Sequence, residues 1–336
     1  MEELELLLQS EDMLIFGTIF LVLAVLLIVL KKVPRTQGKN VVGHVIFMVV
    51  SGLSLYFCPE FIQNALFSQM GVVVLGVVVP ITQSIKAVVS IDDVDDVAWL
   101  QYWIVSGIFT YCTEWMDIVA ENYPTVAEHW YEFEFFAILW LLLPNTDGSA
   151  FLFTKVTEPL FAPMARSIKR HVESQLSIFM LIINSGYLWM LWFTFLAFDE
   201  EARRFIVIAV GTLYPIAAST IACTSKNVKR DDTFWLTYWI CFSILFLAMD
   251  YLENFVGSIR GFYSICLCAT IYLFLPMFKG ADAVFRNIIV PLSGQYEQLF
   301  LKDIHLIKIE MEKKITKPKA IESAFEKAAA LFVKQK

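Results

Sequence analysis

Four carboxylates inside apolar segments are the residues of this sequence best placed for chemistry. Glu114 and Asp117 stand three apart, as do Asp250 and Glu253, so each pair lies on one face of a helix. A carboxylate held inside a membrane is costly and by default suggests a proton or ion path. Each pair lies toward the end of its segment, where water or a hydrogen bond from a neighbouring helix satisfies it, so a structural role is the stronger reading. The other reactive types are scattered. His44, His129, His171 and His305 are far apart and show no metal spacing. Cys58, Cys112, Cys223, Cys241, Cys266 and Cys268 lie mostly in apolar stretches and form no C-x-x-C pair, which reads as buried structural thiols. Asp92, Asp93, Asp95 and Asp96 lack the glycine and terminal glutamate of a calcium loop, and a solvated turn is expected there. With no phosphate loop and no nucleophile elbow either, no catalytic residue, metal or cofactor is expected.

The elements that must position these residues are membrane helices. A chain that is 58% hydrophobic, with mean hydropathy +0.63, carries too much apolar surface for one soluble core. Nine apolar segments follow one another: Met13–Leu30, Val41–Cys58, Met70–Val89, Trp99–Ala120, Phe133–Leu143, Leu176–Phe198, Phe205–Cys223, Phe234–Val256 and Phe262–Phe278. The first has 18 residues, about 27 Å of helix at roughly 1.5 Å per residue. Its acidic flank (Glu2, Glu3, Glu5, Glu11, Asp12) is unlike a signal peptide, so it is read as a retained helix. A net charge of -7 argues against nucleic acid as a partner. The lipid bilayer is the partner the composition requires.

Threading the chain with the N-terminus outside places Lys31, Lys32, Arg35, Lys39, Lys86, Arg166, Lys169, Arg170, Lys226, Lys229 and Arg230 on one side. The other side receives chiefly Arg203, Arg204 and Arg260. The positive-inside rule makes the richer side cytosolic, the N-terminus luminal and the tail cytosolic. If Phe133–Leu143 only dips into the membrane, the topology after it is redrawn.

The second half repeats the first. Trp99-Leu100-Gln101-Tyr102-Trp103 returns 136 residues later as Trp235-Leu236-Thr237-Tyr238-Trp239, each motif where a span meets the cytosolic interface and amphipathic rings are expected as anchors. Glu114 and Asp250 each stand eleven positions after the last tryptophan. Upstream, Pro80 before Ser84-Ile85-Lys86-Ala87 corresponds to Pro215 before Ser219-Thr220-Ile221-Ala222. Downstream, the run ending at Pro144 with Gly148 corresponds to the run ending at Pro276 with Gly280, and the register holds to Pro159 and Pro291. So many matches in order mark a duplication. Four spans per copy give both copies one orientation. The fold expected is an all-α integral membrane protein: two parallel four-helix hairpin repeats, an extra N-terminal transmembrane helix and C-terminal amphipathic helices. The divisions are 1–40, 41–175, 176–294 and 295–336.

These residues resemble the receptor expression-enhancing proteins, a family whose yeast and plant relatives shape tubular endoplasmic reticulum. Pro80 with Lys86, the Trp99–Trp103 motif, Glu114, Pro144 with Gly148, Phe153 and Pro159 carry the resemblance. The second copy departs at Ile221, Asp250 and Phe285, and most relatives carry one copy. The resemblance implies residence in the endoplasmic reticulum and a wedge of paired hairpins, deepened by an amphipathic helix. The tail supplies one: Phe300, Ile304, Ile307, Met311 and Ile315 recur at helical spacing between charged residues. A shorter echo after the first copy joins Leu160, Phe161, Met164, Ile168 and Val172 with Arg166, Lys169 and Arg170. Packing of these stripes on the protein's own hairpins, or in a coiled coil, is the competing reading.

Two functions of different class follow. One is a structural protein that curves membrane through hairpins, interfacial helices and self-association, as a homo-oligomer or a pseudo-dimer in one chain. The other is a transporter or channel with Glu114 and Asp250 in its path, although most spans are polar only at their ends. A trafficking adaptor for membrane-protein cargo is a third, compatible with the first.

Overall fold

A computed structural model describes residues 35–57, 59–89, 93–114, 123–168, 187–224, 229–256, 261–275 and 278–293, with positions 116, 170, 171 and 259. The expected first span Met13–Leu30 and the tail stripe Phe300, Ile304, Ile307, Met311 and Ile315 lie outside the described residues, as do Val172 and Pro276. The chain divides into two compact units, Met1–Val284 and Phe285–Lys336.

Within the first unit the described chain is helical. Helix α1 is Val41–Phe57 and α2 is Glu60–Leu66, entered through Pro59. Ser68 then caps α3, its Oγ accepting the Gly71 amide at 3.1 Å. Helix α3 runs over Gln69–Val89, with a π-helical turn at Val74–Val78. Helix α4, Asp93–Glu114, begins six residues before the expected span. The cause is electrostatic, because Asp93, Asp95 and Asp96 sit in its first turn, where the helix dipole favours negative charge. Pro124 opens the short α5, Pro124–Glu128, and α6 is Trp130–Leu142. Helix α7 starts at Gly148–Leu152, passes a π-helical turn at Phe153–Thr157 and continues to residue 168.

The second copy repeats the order of α1, α3, α4, α6 and α7. Of the span expected over Leu176–Phe198, α8, Leu188–Ala197, is the described part. Asp199 caps α9, Glu200–Thr224, by accepting the Ala202 amide at 2.8 Å. Then come α10, Lys229–Val256, α11, Phe262–Phe274, and α12, Gly280–Val284. The second unit opens with a π-helical turn at Phe285–Ile289, at the register of the turn in α7.

In each copy the first long helix packs on the second and on the short helix after it: α3 on α4 and α6, α9 on α10 and α11. Between copies, α4 packs on α9 and α10, and α10 packs on α3. Exchanging the copies leaves that pattern unchanged, as a two-fold axis would. The centre is therefore four helices, α3, α4, α9 and α10, with fully buried residues on their facing sides. Leu100, Ile104, Ile208, Leu236 and Ile240 have no exposed surface. Residues that look outward are apolar too, including Val45, Met48 and Val49 of α1 and Trp189, Trp192 and Phe193 of α8, as lipid requires.

Candidate functional site

The recurring motif residues meet in one arrangement, built once in each copy. Proline has no amide hydrogen, so a proline inside a helix leaves the carbonyl four residues earlier without its donor. For Pro215 that carbonyl belongs to Gly211; Gly76 likewise stands four residues before Pro80, there inside the π-helical turn, where the Val79 amide reaches back five residues to Val74. Tyr102 of α4 donates its hydroxyl to the Gly76 carbonyl at 2.6 Å, and Tyr238 of α10 donates to the Gly211 carbonyl, also at 2.6 Å. Four residues beyond each proline a second bond follows. Trp103 Nε1 donates to Ser84 Oγ at 2.9 Å, and Trp239 Nε1 to Ser219 Oγ at 3.0 Å. The break in the helical ladder is thus bridged on both sides by the neighbouring helix.

These rings are core residues. Trp99, Tyr102, Trp103, Trp235, Tyr238 and Trp239 are all buried, which corrects the expectation that a Trp-Leu-x-Tyr-Trp motif at the end of a span is an interfacial anchor. Among such rings, an unpaired carbonyl costs about 1–3 kcal/mol, so the tyrosine hydroxyl matters. Gly76 and Gly211 were not singled out from sequence, although a glycine four residues before each proline is a readable signal. A Cβ at Gly76 would stand 2.8 Å from Ile138 Cδ1 of α6, and one at Gly211 2.9 Å from Thr270 Cγ2 of α11. The short helix of each copy therefore leans on the glycine whose carbonyl is capped.

Gly148 and Gly280 begin α7 and α12 for a shared reason. Each follows a residue in the left-handed region, Asp147 at φ 46° and Lys279 at φ 48°. A Cβ would meet Trp140 Cδ2 at 2.6 Å in the first case and the Tyr272 carbonyl at 2.3 Å in the second. The turn after Pro144, buried at Thr146 and Asp147, is also gripped by the residues just before the copy. Arg35 Nη1 lies 3.0 Å from Asp147 Oδ1, the Gln37 amide donates to Asp147 Oδ2 at 3.0 Å, and the Thr36 amide donates to the Pro144 carbonyl at 3.1 Å. Arg35 also lies over the Trp99 ring, 4.8 Å from its centroid. Trp140 Nε1 donates to His44 Nδ1 at 3.0 Å. In the second copy the equivalent of Asp147 is the exposed Lys279.

The carboxylates are tied structurally where they are described. Arg204 Nη2 lies 3.4 Å from Asp250 Oδ1, Arg204 Nε lies 3.3 Å from Glu253 Oε2, and Tyr263 donates its hydroxyl to Glu253 Oε1 at 2.6 Å. The Glu114 side chain and Asp117 lie outside the described residues. Asp96 is buried rather than solvated, because Thr233 Oγ1 of the other copy donates to its Oδ2 at 2.9 Å. That bond sets the first turns of α4 and α10 side by side. Deeper in the interface the Tyr111 and Thr212 hydroxyls share a hydrogen bond. Lys86, Pro159, Leu160 and Met164 are exposed, Phe161 and Ile168 are half-buried, and in the second unit Pro291 is exposed. Among the described residues no group of three potential ligands gathers to hold a metal ion.

The arrangement defines a class: an all-α integral membrane protein in which a tyrosine-capped, proline-broken helix occurs twice. The TB2/DP1, HVA22 family matches it twice, at residues 80–160 and 215–292. HVA22-like protein d of Arabidopsis thaliana is 34% identical over 116 residues, 34% of this chain and 78% of that protein. Protein YOP1 of Mycosarcoma maydis is 34% identical over 94 residues, 28% of this chain and 52% of the relative. Receptor expression-enhancing protein 4 of Rattus norvegicus is 33% identical over 95 residues, 28% of this chain and 37% of the relative. The chain thus belongs to the TB2/DP1, HVA22 family, that of the receptor expression-enhancing proteins, whose members are structural membrane proteins and not enzymes. It spans about half, or less, of the length of the YOP1 and rat relatives. No solved structure matches it.

Proposed function

We propose that this protein bends the membrane of the endoplasmic reticulum by occupying more of the cytosolic leaflet than of the luminal one. The observation that carries this is the length of two helices. Helices α6 and α11 have 13 residues each, about 20 Å at roughly 1.5 Å per residue, against about 30 Å of hydrocarbon. Each packs beside a helix long and apolar enough to cross, Gln69–Val89 or Glu200–Thr224. A short helix held against a spanning one fills one leaflet preferentially, and two such pairs in one orientation push on the same side.

The parallel orientation of the copies is supported by the Asp96–Thr233 bond between the starts of α4 and α10. Pairing of the copies within one chain, in place of a homodimer, is supported by the packing of α4 on α9 and α10. A luminal N-terminus and a cytosolic tail follow from the charge of the loops. Val156, Leu160 and Met164 form an exposed apolar stripe on α7, suited to insertion among headgroups beside Lys155 and Arg166. The same role is proposed for the tail.

Reconstitution into liposomes followed by electron microscopy tests the reading. The full chain is expected to convert round vesicles to tubules or small vesicles, and a chain ended before Gln295 to do so less effectively. Large round proteoliposomes at high protein density would sink it.

A further inference from the structure

We infer that the hydroxyls of Tyr102 and Tyr238 are positioning groups that set how sharply this protein bends a membrane, by holding closed the helix break at Pro80 and Pro215. The inference rests on the curvature reading above and names the residues that fix the shape of the wedge.

A proline is a place where a helix bends, because its ladder lacks a rung. Each of these prolines lacks a rung, and the neighbouring helix supplies a bond beside the gap: the tyrosine hydroxyl donates to the carbonyl four residues before the proline at 2.6 Å in both copies. The tryptophan–serine bond on the far side of the proline holds the other half of the helix to the same neighbour. Two bonds straddling the break fix the angle between its halves, as one bond alone would not. Both tyrosines are buried, and within hydrocarbon no water takes the place of a lost donor.

The break also lies where shape is decided. Gly76 and Gly211 touch Ile138 of α6 and Thr270 of α11, so the angle at each proline governs how the short helix is held against the long one. Those short helices make the two leaflets unequal. Loosening the break lets each of them tilt or shift in depth, and the wedge loses a defined angle.

The experiment uses the full chain in liposomes of neutral phospholipid, with tubule diameter read by electron microscopy and folding by circular dichroism. The Tyr102→Phe, Tyr238→Phe double variant is expected to stay helical and to give wider tubules with a broader spread of diameters. Each single variant should lie between it and the parent, which keeps the test open should the double variant fail to fold. Tyr251→Phe, at an exposed position of α10, should match the parent. The decisive arm adds Pro80→Ala and Pro215→Ala. Alanine restores an amide at each break, so in that background removing the hydroxyls should shift the diameter no further. Unchanged diameters in the tyrosine variants would overturn the inference, and so would an equal shift with and without the prolines. Failure of the parent itself to form tubules would count against the curvature reading instead.

Discussion

At Gly211 the helix surface leaves no room for a methyl group, since a Cβ there would stand 2.2 Å from Phe242 Cε2. Gly211→Ala should therefore lower stability by about 1–3 kcal/mol, the usual cost of overpacking, read as a fall in the unfolding midpoint in detergent. Gly52→Ala, with nothing within 4 Å, should be neutral or slightly stabilising, because alanine favours a helix. The acids give a second residue-scale prediction. With Asp250 and Glu253 both beside Arg204, Asp250→Asn should leave the ion permeability of proteoliposomes at the level of empty ones, as the parent does. A parent flux abolished by this substitution would revive the channel reading. Pro80 and Tyr102 were legible as a recurring pair of motifs, yet their relation was not. The spacing of a tyrosine along one helix does not say which carbonyl on the next it reaches. Burial of the tryptophans was misread because an aromatic at the end of an apolar run suits a membrane interface and a helix–helix core equally well.

The order of α1, α3, α4, α6, α8, α9, α10 and α11 was visible in hydropathy, because their apolar runs end in charge or proline. Their ends were less so. The start of α4 was missed because Asp93, Asp95 and Asp96 look like a loop to a hydropathy reading, whereas a first helical turn welcomes them. The grip of residues 35–40 on the turn after Pro144 was invisible, since its partners are 105–112 positions apart and no local pattern links them. It predicts that Asp147→Ala, by releasing Arg35 and the Gln37 amide, speeds proteolytic cleavage near Lys39 without unfolding the central helices. Unaltered cleavage would show that the remaining bonds suffice. Helix α11 offers a test of length: five leucines inserted into it add about 7.5 Å at roughly 1.5 Å per residue. That brings the helix close to a full crossing. The prediction is a loss of tubule formation while the protein still inserts, checked by flotation and electron microscopy.

For the molecule as a whole, the duplication was the most legible feature and the pairing of its halves the least. A repeat in sequence does not say whether a copy turns to its neighbour in the same chain or in another. The proposed pairing within one chain is supported by side chains: Thr233 reaches Asp96, and Gly107 lies where a Cβ would stand 3.1 Å from Trp239 Cη2. Cysteines placed at positions 96 and 233, in a chain whose six native cysteines are replaced, should cross-link within one chain and run as a monomer on a denaturing gel. A dimer band would place the pairing between chains.

Packing of α4 against α9 and α10 has a consequence for dosage. Partners on separate chains come apart as they are diluted in the bilayer, so the curvature they make depends on how many are present. Two halves on one backbone meet at an effective concentration set by the linker and not by expression level. On the proposed reading, a molecule built this way is predicted to bend membrane even when alone.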